Sequence, residues 1–164
     1  MGTSTFSQYT VVADVSVVAV NKKASLEKVC LLGCGITTAW GAVVKQPGIS
    51  KQAFVGCMQV YRSVLAELSS VAVFGCGAIG LGVINTASLV GASRIIAIDI
   101  NNDKESWAKK FGAMEFVNPS ALKGGQKIQD YLVEITDGGL DFTFDCTGNV
   151  SNFFKITVPI KNPT

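Results

Sequence analysis

The stretch Val71 to Gly80, VAVFGCGAIG, runs four apolar residues straight into the spacing Gly75-x-Gly77-x-x-Gly80 and then into a helix-like segment. A continuous apolar run of this kind is what a strand buried on both faces of a parallel sheet requires. The turn after such a strand can bring backbone amides, and the positive end of the following helix, up to a bound anion. In that pattern Gly75 makes the turn, Gly77 admits a pyrophosphate and Gly80 lets the helix press on the sheet. A second strand ending in an acid about 20 residues further on completes it. Arg94 to Ile100, RIIAIDI, is such a strand, and Asp99 is its acid. The pattern points to a dinucleotide site, the alternative being a structural βαβ unit with no ligand. The Asp99 carboxylate suits a free ribose 2′-hydroxyl and repels a 2′-phosphate, which favours NAD over NADP.

Composition narrows the function classes. A chain of 164 residues has room for one domain with a sizeable core. Apolar residues at 48% against 16% charged argue against disorder. A net charge of +2, with scattered basic residues, gives no electrostatic footprint for nucleic acid. No apolar run approaches the roughly 20 residues of a membrane span, so no membrane partner is expected. The five cysteines, Cys30, Cys34, Cys57, Cys76 and Cys146, form no C-x-x-C pair and no regular framework, which points to free thiols in a reducing compartment. The opening MGTSTFSQYT lacks the basic and apolar regions of a signal peptide, and a cytoplasmic location is expected. Histidine is absent, so this chain cannot supply an imidazole as base, proton relay or zinc ligand.

In chain order, the β-branched run Thr10 to Val20 predicts one strand or two short ones. A short helix is expected from Ser25 and another over Thr37 to Val44, with Thr37 or Thr38 near its cap. From Gln52 to Leu68, apolar Phe54, Met58, Tyr61, Leu65 and Leu68 recur at helical spacing. That predicts an amphipathic helix, either packed on the core or offering a partner-binding stripe. After the Gly-rich strand, helices are expected over Ala78 to Val90, Lys104 to Phe111 and Lys127 to Thr136. Strands are expected over Arg94 to Ile100, Glu115 to Asn118 and Leu140 to Cys146. Strand and helix alternating in this way read as half or more of a doubly wound sheet.

The segments TFSQYTVV, KVCLLGCGITT followed by WGA, GCGAIGLGVI, GASRIIAIDIN, KKFGA with FVNP, and ITDGGLDFTFDCTGNV together resemble the zinc-dependent medium-chain alcohol dehydrogenases. The likeness is strongest to class III, the S-(hydroxymethyl)glutathione dehydrogenases. The resemblance implies an α/β fold: a partial doubly wound (Rossmann) parallel sheet over 71–150, preceded over 1–45 by a remnant of a GroES-like β domain. It leaves 46–70 as an unmatched helical segment and 151–164 as an unmatched tail. It implies oxidation of an alcohol or glutathione adduct, as in formaldehyde detoxification, with NAD and zinc as cofactors and a dimeric assembly in the family. Cys34 then matches a catalytic zinc ligand, though a lone cysteine is more often a small buried residue. Thr38 matches a threonine that touches the nicotinamide, against its plainer reading as a helix cap. Gly75, Gly77 and Gly80 match the phosphate turn, and Ile79 a residue behind the nicotinamide or else helix core. Asp99 and Lys104 match adenosine-ribose contacts, although Lys104 reads equally as a solvated first-turn lysine. Thr147 matches a contact beside the adenine.

Departures from the family pattern carry their own expectations. Met1 falls at an internal point of the family and the likeness stops at about Val150, so the chain is expected to be a truncated form without the other zinc ligands and without the dimer segment. One cysteine cannot replace the three protein ligands of a catalytic zinc. Ala39 stands where the family usually has glycine. Leu140 to Cys146 is expected to be an exposed apolar edge unless residues 153 to 160 pair there. The alternatives to an active enzyme are a catalytically silent NAD-binding fragment and an interaction element.

Overall fold

The computed structural model describes residues 5–44, 53–55, 58–60 and 69–149. It divides into two compact units, Met1–Leu31 and Leu32–Thr164.

In the first unit the strands expected over Thr10 to Val20 are not formed: a 3-10 turn occupies Asp14–Ser16 and no residue of this stretch is in a strand. The reason is local. The Asp14 side chain accepts the Val15 amide at 2.8 Å, and Ser16 N–H donates to the Ala13 carbonyl at 2.9 Å. Such short-range bonds compete with a ladder that lacks a partner. Val11, Val15 and Val18 are accordingly exposed. The short helix expected from Ser25 is present as α1 (Leu26–Val29).

The second unit opens with α2 (Gly35–Val44), one turn's fraction earlier than the spacing predicts. Its strands are β1 (Ala53–Val55), β2 (Met58–Val60), β3 (Ser70–Phe74), β4 (Arg94–Ile98), β5 (Glu115–Val117) and β6 (Phe142–Asp145), in the order β1-β2-β6-β3-β4-β5. The pairs β6–β3, β3–β4 and β4–β5 are parallel; β2 pairs antiparallel with β6 and β1 antiparallel with β2. Helices α3 (Ala78–Leu89), α4 (Lys104–Lys110) and α5 (Ile128–Ile135) follow their strands as expected. The doubly wound arrangement is therefore present.

Alternation along β3 divides the core. Val71 and Val73 join α2, α3 and α4 on one face, while Ala72 and Phe74 face the side that α5 covers. All of Val71, Ala72 and Val73 are fully buried; full burial contributes about 1.5–3 kcal/mol for a valine side chain. The N-terminal ends of the strands are tied by side chains. Asp141 Oδ2 accepts from the Ser70 amide at 2.8 Å and the Ser70 hydroxyl at 2.7 Å. Arg94 grips Glu115 through two bonds of 2.6 and 3.0 Å and donates at 2.6 Å to the Ile135 carbonyl at the end of α5. Helix α3 ends on Gly91 in a left-handed conformation (φ 87°), where Ala92 N–H reaches back to the Ala87 carbonyl at 3.0 Å. That is the glycine-dependent C-cap.

Two expectations about the sheet edge are corrected. The described residues of the segment Gln52 to Leu68 are strands, β1 and β2, and not part of a helix. Nor is the last parallel strand an open edge, since Gln59 and Val60 of β2 lie opposite Asp145 and Phe144 of β6. Residues 153 to 160 lie outside the described residues. A buried strand with one unpaired side leaves amides and carbonyls without partners, and pairing them outweighs the helical periodicity of the segment that does so.

Helices α2 and α3 cross where both carry small residues. A methyl built on Gly82 would stand 2.7 Å from Ala39 Cβ, so Ala39 uses the space Gly82 leaves. Gly82→Ala is expected to destabilise the chain by about 1–3 kcal/mol through overpacking. Moving the methyl across the contact, with Gly82→Ala and Ala39→Gly together, should recover most of that loss in a urea melt. A double variant no more stable than Gly82→Ala would show that the contact is not what limits the crossing.

Candidate functional site

The C-terminal ends of β3, β4 and β6 meet at the glycine turn. Gly75 leaves β3 with φ 88°, and a Cβ there would lie 2.9 Å from both C and O of Cys146 and 3.1 Å from Thr147 Cα. Both the backbone conformation and the crowding demand glycine. A Cβ on Gly80 would run into the Gly75 carbonyl oxygen, so Gly80 is what lets α3 start directly above the turn. Gly77 differs from both. Its φ of −82° and ψ of −167° suit any residue, and a Cβ there would meet nothing within 4 Å. It is exposed, caps α3 without a side-chain hydrogen bond, and precedes first-turn amides that have no intrahelical partner.

Asp99 comes to this turn from the end of β4. Its Oδ2 accepts the Cys76 amide at 2.7 Å and its Oδ1 accepts the Asn101 amide at 2.9 Å. Each oxygen keeps a lone pair for another donor. Lys104, half-buried at the start of α4, lies near enough to act electrostatically on Cys76. The Cys76 thiol itself is fully buried and is pushed up to about 12, by burial first and then by the Asp99 charge, with Lys104 opposing.

On the other side of the turn, Thr147 is exposed at the end of β6. Its amide and hydroxyl both donate to Oδ1 of the buried Asp145, at 2.9 and 2.7 Å. Ile79 is partly buried in the first turn of α3, and its Cδ1 lies 3.9 Å from where a Cβ of Gly35 would be. This brings the start of α2 to the same helix. There Cys34 is exposed, and its carbonyl accepts the Thr38 amide at 2.8 Å and the Thr37 hydroxyl at 3.0 Å. Thr38 is half-buried within α2 and not at its cap.

The residues fit the two expected cofactors unequally. Open space at Gly77 and a carboxylate at the end of β4 suit a dinucleotide. A complete zinc site is not gathered among the described residues, where no three His, Cys, Asp or Glu side chains come together as ligands. The sequence contains no histidine, and Cys34 alone is short of the three protein ligands of a catalytic site. Among the described residues, no single helix is long and apolar enough to cross a membrane.

Three residues that hold this region escape the sequence reading. Cys76 enters through its amide, which no side-chain pattern reveals. Asp145 is a carboxylate at the end of an apolar strand, a signal available but not used. Asn118 sits in Asn-Pro, which reads from sequence only as a strand stop.

Residues 78–156 match the family described as zinc-binding dehydrogenase. The S-(hydroxymethyl)glutathione dehydrogenases of Saccharomyces cerevisiae and Komagataella pastoris are 55% and 54% identical over 150 residues, covering 91% and 92% of this chain and 35% of each relative. Alcohol dehydrogenase class-3 of Drosophila melanogaster is 48% identical over 151 residues, 92% of this chain and 36% of its own length. Among solved structures, benzyl alcohol dehydrogenase from Acinetobacter calcoaceticus superposes with a TM-score of 0.66 at 30% identity, over 87% of this chain and 34% of that one. The chain spans about a third of the length of the curated relatives it matches.

Alkylation distinguishes the thiols, because the thiolate is the reacting form. In the folded chain at pH 8, iodoacetamide should label exposed Cys34 while Cys76 is labelled only after denaturant is added, read by peptide mass spectrometry. Equal labelling of the two without denaturant would show that the turn is open.

Proposed function

We propose, for a chain that carries a zinc-binding dehydrogenase domain and resembles the S-(hydroxymethyl)glutathione dehydrogenases, that its glycine turn holds NAD. It would do so as the nucleotide-binding portion of an oxidoreductase acting on an alcohol or on S-(hydroxymethyl)glutathione. The observation that carries this reading is Gly77. Gly75 and Gly80 have reasons internal to the fold, whereas Gly77 has neither a strained backbone nor a crowded Cβ. A ligand that must approach the backbone closely supplies the missing reason.

When bound, NAD supplies the hydride acceptor. The residues divide the work of holding it. Backbone amides at Gly77 and the first turn of α3 take the pyrophosphate, aided by the helix end. Asp99 would accept the ribose hydroxyls with the lone pairs that Cys76 and Asn101 leave, and Lys104 would add a second ribose-side contact. Thr147, steadied by Asp145, borders the adenine. Ile79 would pack behind the nicotinamide, and the Thr38 hydroxyl would contact it. Cys34 would supply one ligand to a zinc whose remaining ligands are not gathered among the described residues. The free thiols of Cys30, Cys34 and Cys76 support a reducing, cytoplasmic setting.

A thermal melt followed by circular dichroism tests the reading. NAD at a hundredfold excess over its dissociation constant should stabilise the chain by about 2.7 kcal/mol. Asp99→Ala and Gly77→Ala should lose most of that shift, the latter with an unchanged midpoint in the absence of NAD, whereas Cys34→Ala should keep it. No shift in the parent would sink the proposal. Chelator-sensitive, alcohol-dependent NADH formation by the purified chain would instead require zinc ligands other than those described.

A further inference from the structure

We infer that Asn118 is a positioning residue for the adenosine half of the nucleotide site, acting by holding the loop that carries Asp99. The inference rests on the NAD reading above and adds to it a residue that touches no part of the ligand itself.

The loop from Asp99 to Asp103 connects β4 to α4. It has little packing to give it a shape: Ile100 is 75% exposed, and residues 101 to 103 are exposed as well. Hydrogen bonds therefore decide its conformation. Two come from within, where the Asn101 amide donates to Asp99 Oδ1 and the Asp103 amide donates to Asn101 Oδ1, each at 2.9 Å. At its start the Asp99 amide donates to the Val117 carbonyl of β5 at 3.2 Å; beyond Asp99 the loop is held from outside by Asn118, just after the neighbouring strand β5. Its Nδ2 donates to the Ile100 carbonyl at 3.0 Å and to Asn102 Oδ1 at 2.7 Å, while its Oδ1 accepts the Ser120 amide at 2.9 Å.

Chemistry makes asparagine specific here. One side chain must present two donors to two acceptors on one side and an acceptor to an amide on the other. The backbone partners, the Ile100 carbonyl and the Ser120 amide, fix which end of the amide is nitrogen. An aspartate of the same shape would keep the bond from Ser120 but turn an oxygen toward two oxygens. The loop would then be pushed away from β5. Asp99 opens this loop and Lys104 follows it, so both ribose-side groups depend on where it lies. Asp99 also accepts the Cys76 amide at 2.7 Å, which links the loop to the glycine turn.

The test compares ADP with 2′-deoxy-ADP by calorimetric titration of the full chain, so that the hydroxyl facing Asp99 is read separately from the rest. The parent is expected to prefer ADP about tenfold, the scale of one hydrogen bond to a charged group. Asn118→Asp should bring the preference to within about twofold while changing 2′-deoxy-ADP affinity much less. A role in stability alone would lower both affinities and leave their ratio where it was, which would overturn the inference. If Asn118→Asp does not fold, Asn102→Ala decides: it removes one acceptor from Asn118 and should roughly halve the preference or more, and an unchanged ratio overturns the inference. A parent that binds neither nucleotide, or both equally, would overturn the underlying NAD reading and this inference with it.

Discussion

A strand with both faces covered can satisfy its backbone only through its two neighbours, and β3 is that strand. Val71, Ala72 and Val73 are wholly removed from solvent, so a misplaced neighbour would leave amides and carbonyls stranded in an apolar interior. Pairing with β4 on one side and β6 on the other answers this requirement. The alternation of its side chains then distributes the helices, α3 to one face and α5 to the other. Because all three strands run in the same direction, their C-terminal ends emerge together. The region where a ligand can be met by several loops follows from the burial of one strand.

Crowding at those ends explains why the turn has the composition it has. Gly75 is pressed against the backbone of Cys146 and Thr147, and Gly80 against the carbonyl of Gly75. Two carboxylates hold the flanks, Asp99 through the Cys76 amide and Asp145 through Thr147. Each charge is bound to backbone donors, so neither depends on a surface cation for its position. The only one of the three motif glycines left without such a constraint is the one that faces open space.

Periodicity and turn chemistry made the alternating strands and helices from residue 70 to 145 legible, because turn and cap residues bound each element and its apolar residues mark the faces it buries. The glycine spacing and Asp99 were legible for the same reason, since a fixed backbone geometry needs fixed residues. Gln52 to Leu68 misled. Its apolar spacing is helical, but the described part of it pairs with β6, and the demand for that pairing arises far away in sequence. Thr10 to Val20 misled in the opposite sense, with strand-forming residues and no ladder to join. Asn118 was invisible because two of its three partners, the Ile100 carbonyl and the Asn102 side chain, lie 18 and 16 residues away in another loop.

The sequence by itself determined the parallel α/β order, the site of the turn, the acid that meets it and the absence of an imidazole. These follow from local pattern and composition, which no packing can alter. Tertiary structure alone decided that β2 closes the sheet edge, that Ala39 fits because Gly82 is bare, that Cys76 is a sealed thiol, and that Asn118 anchors the loop of Asp99. Each of those depends on two surfaces meeting at a set distance, and distance between remote residues is a property of the folded chain.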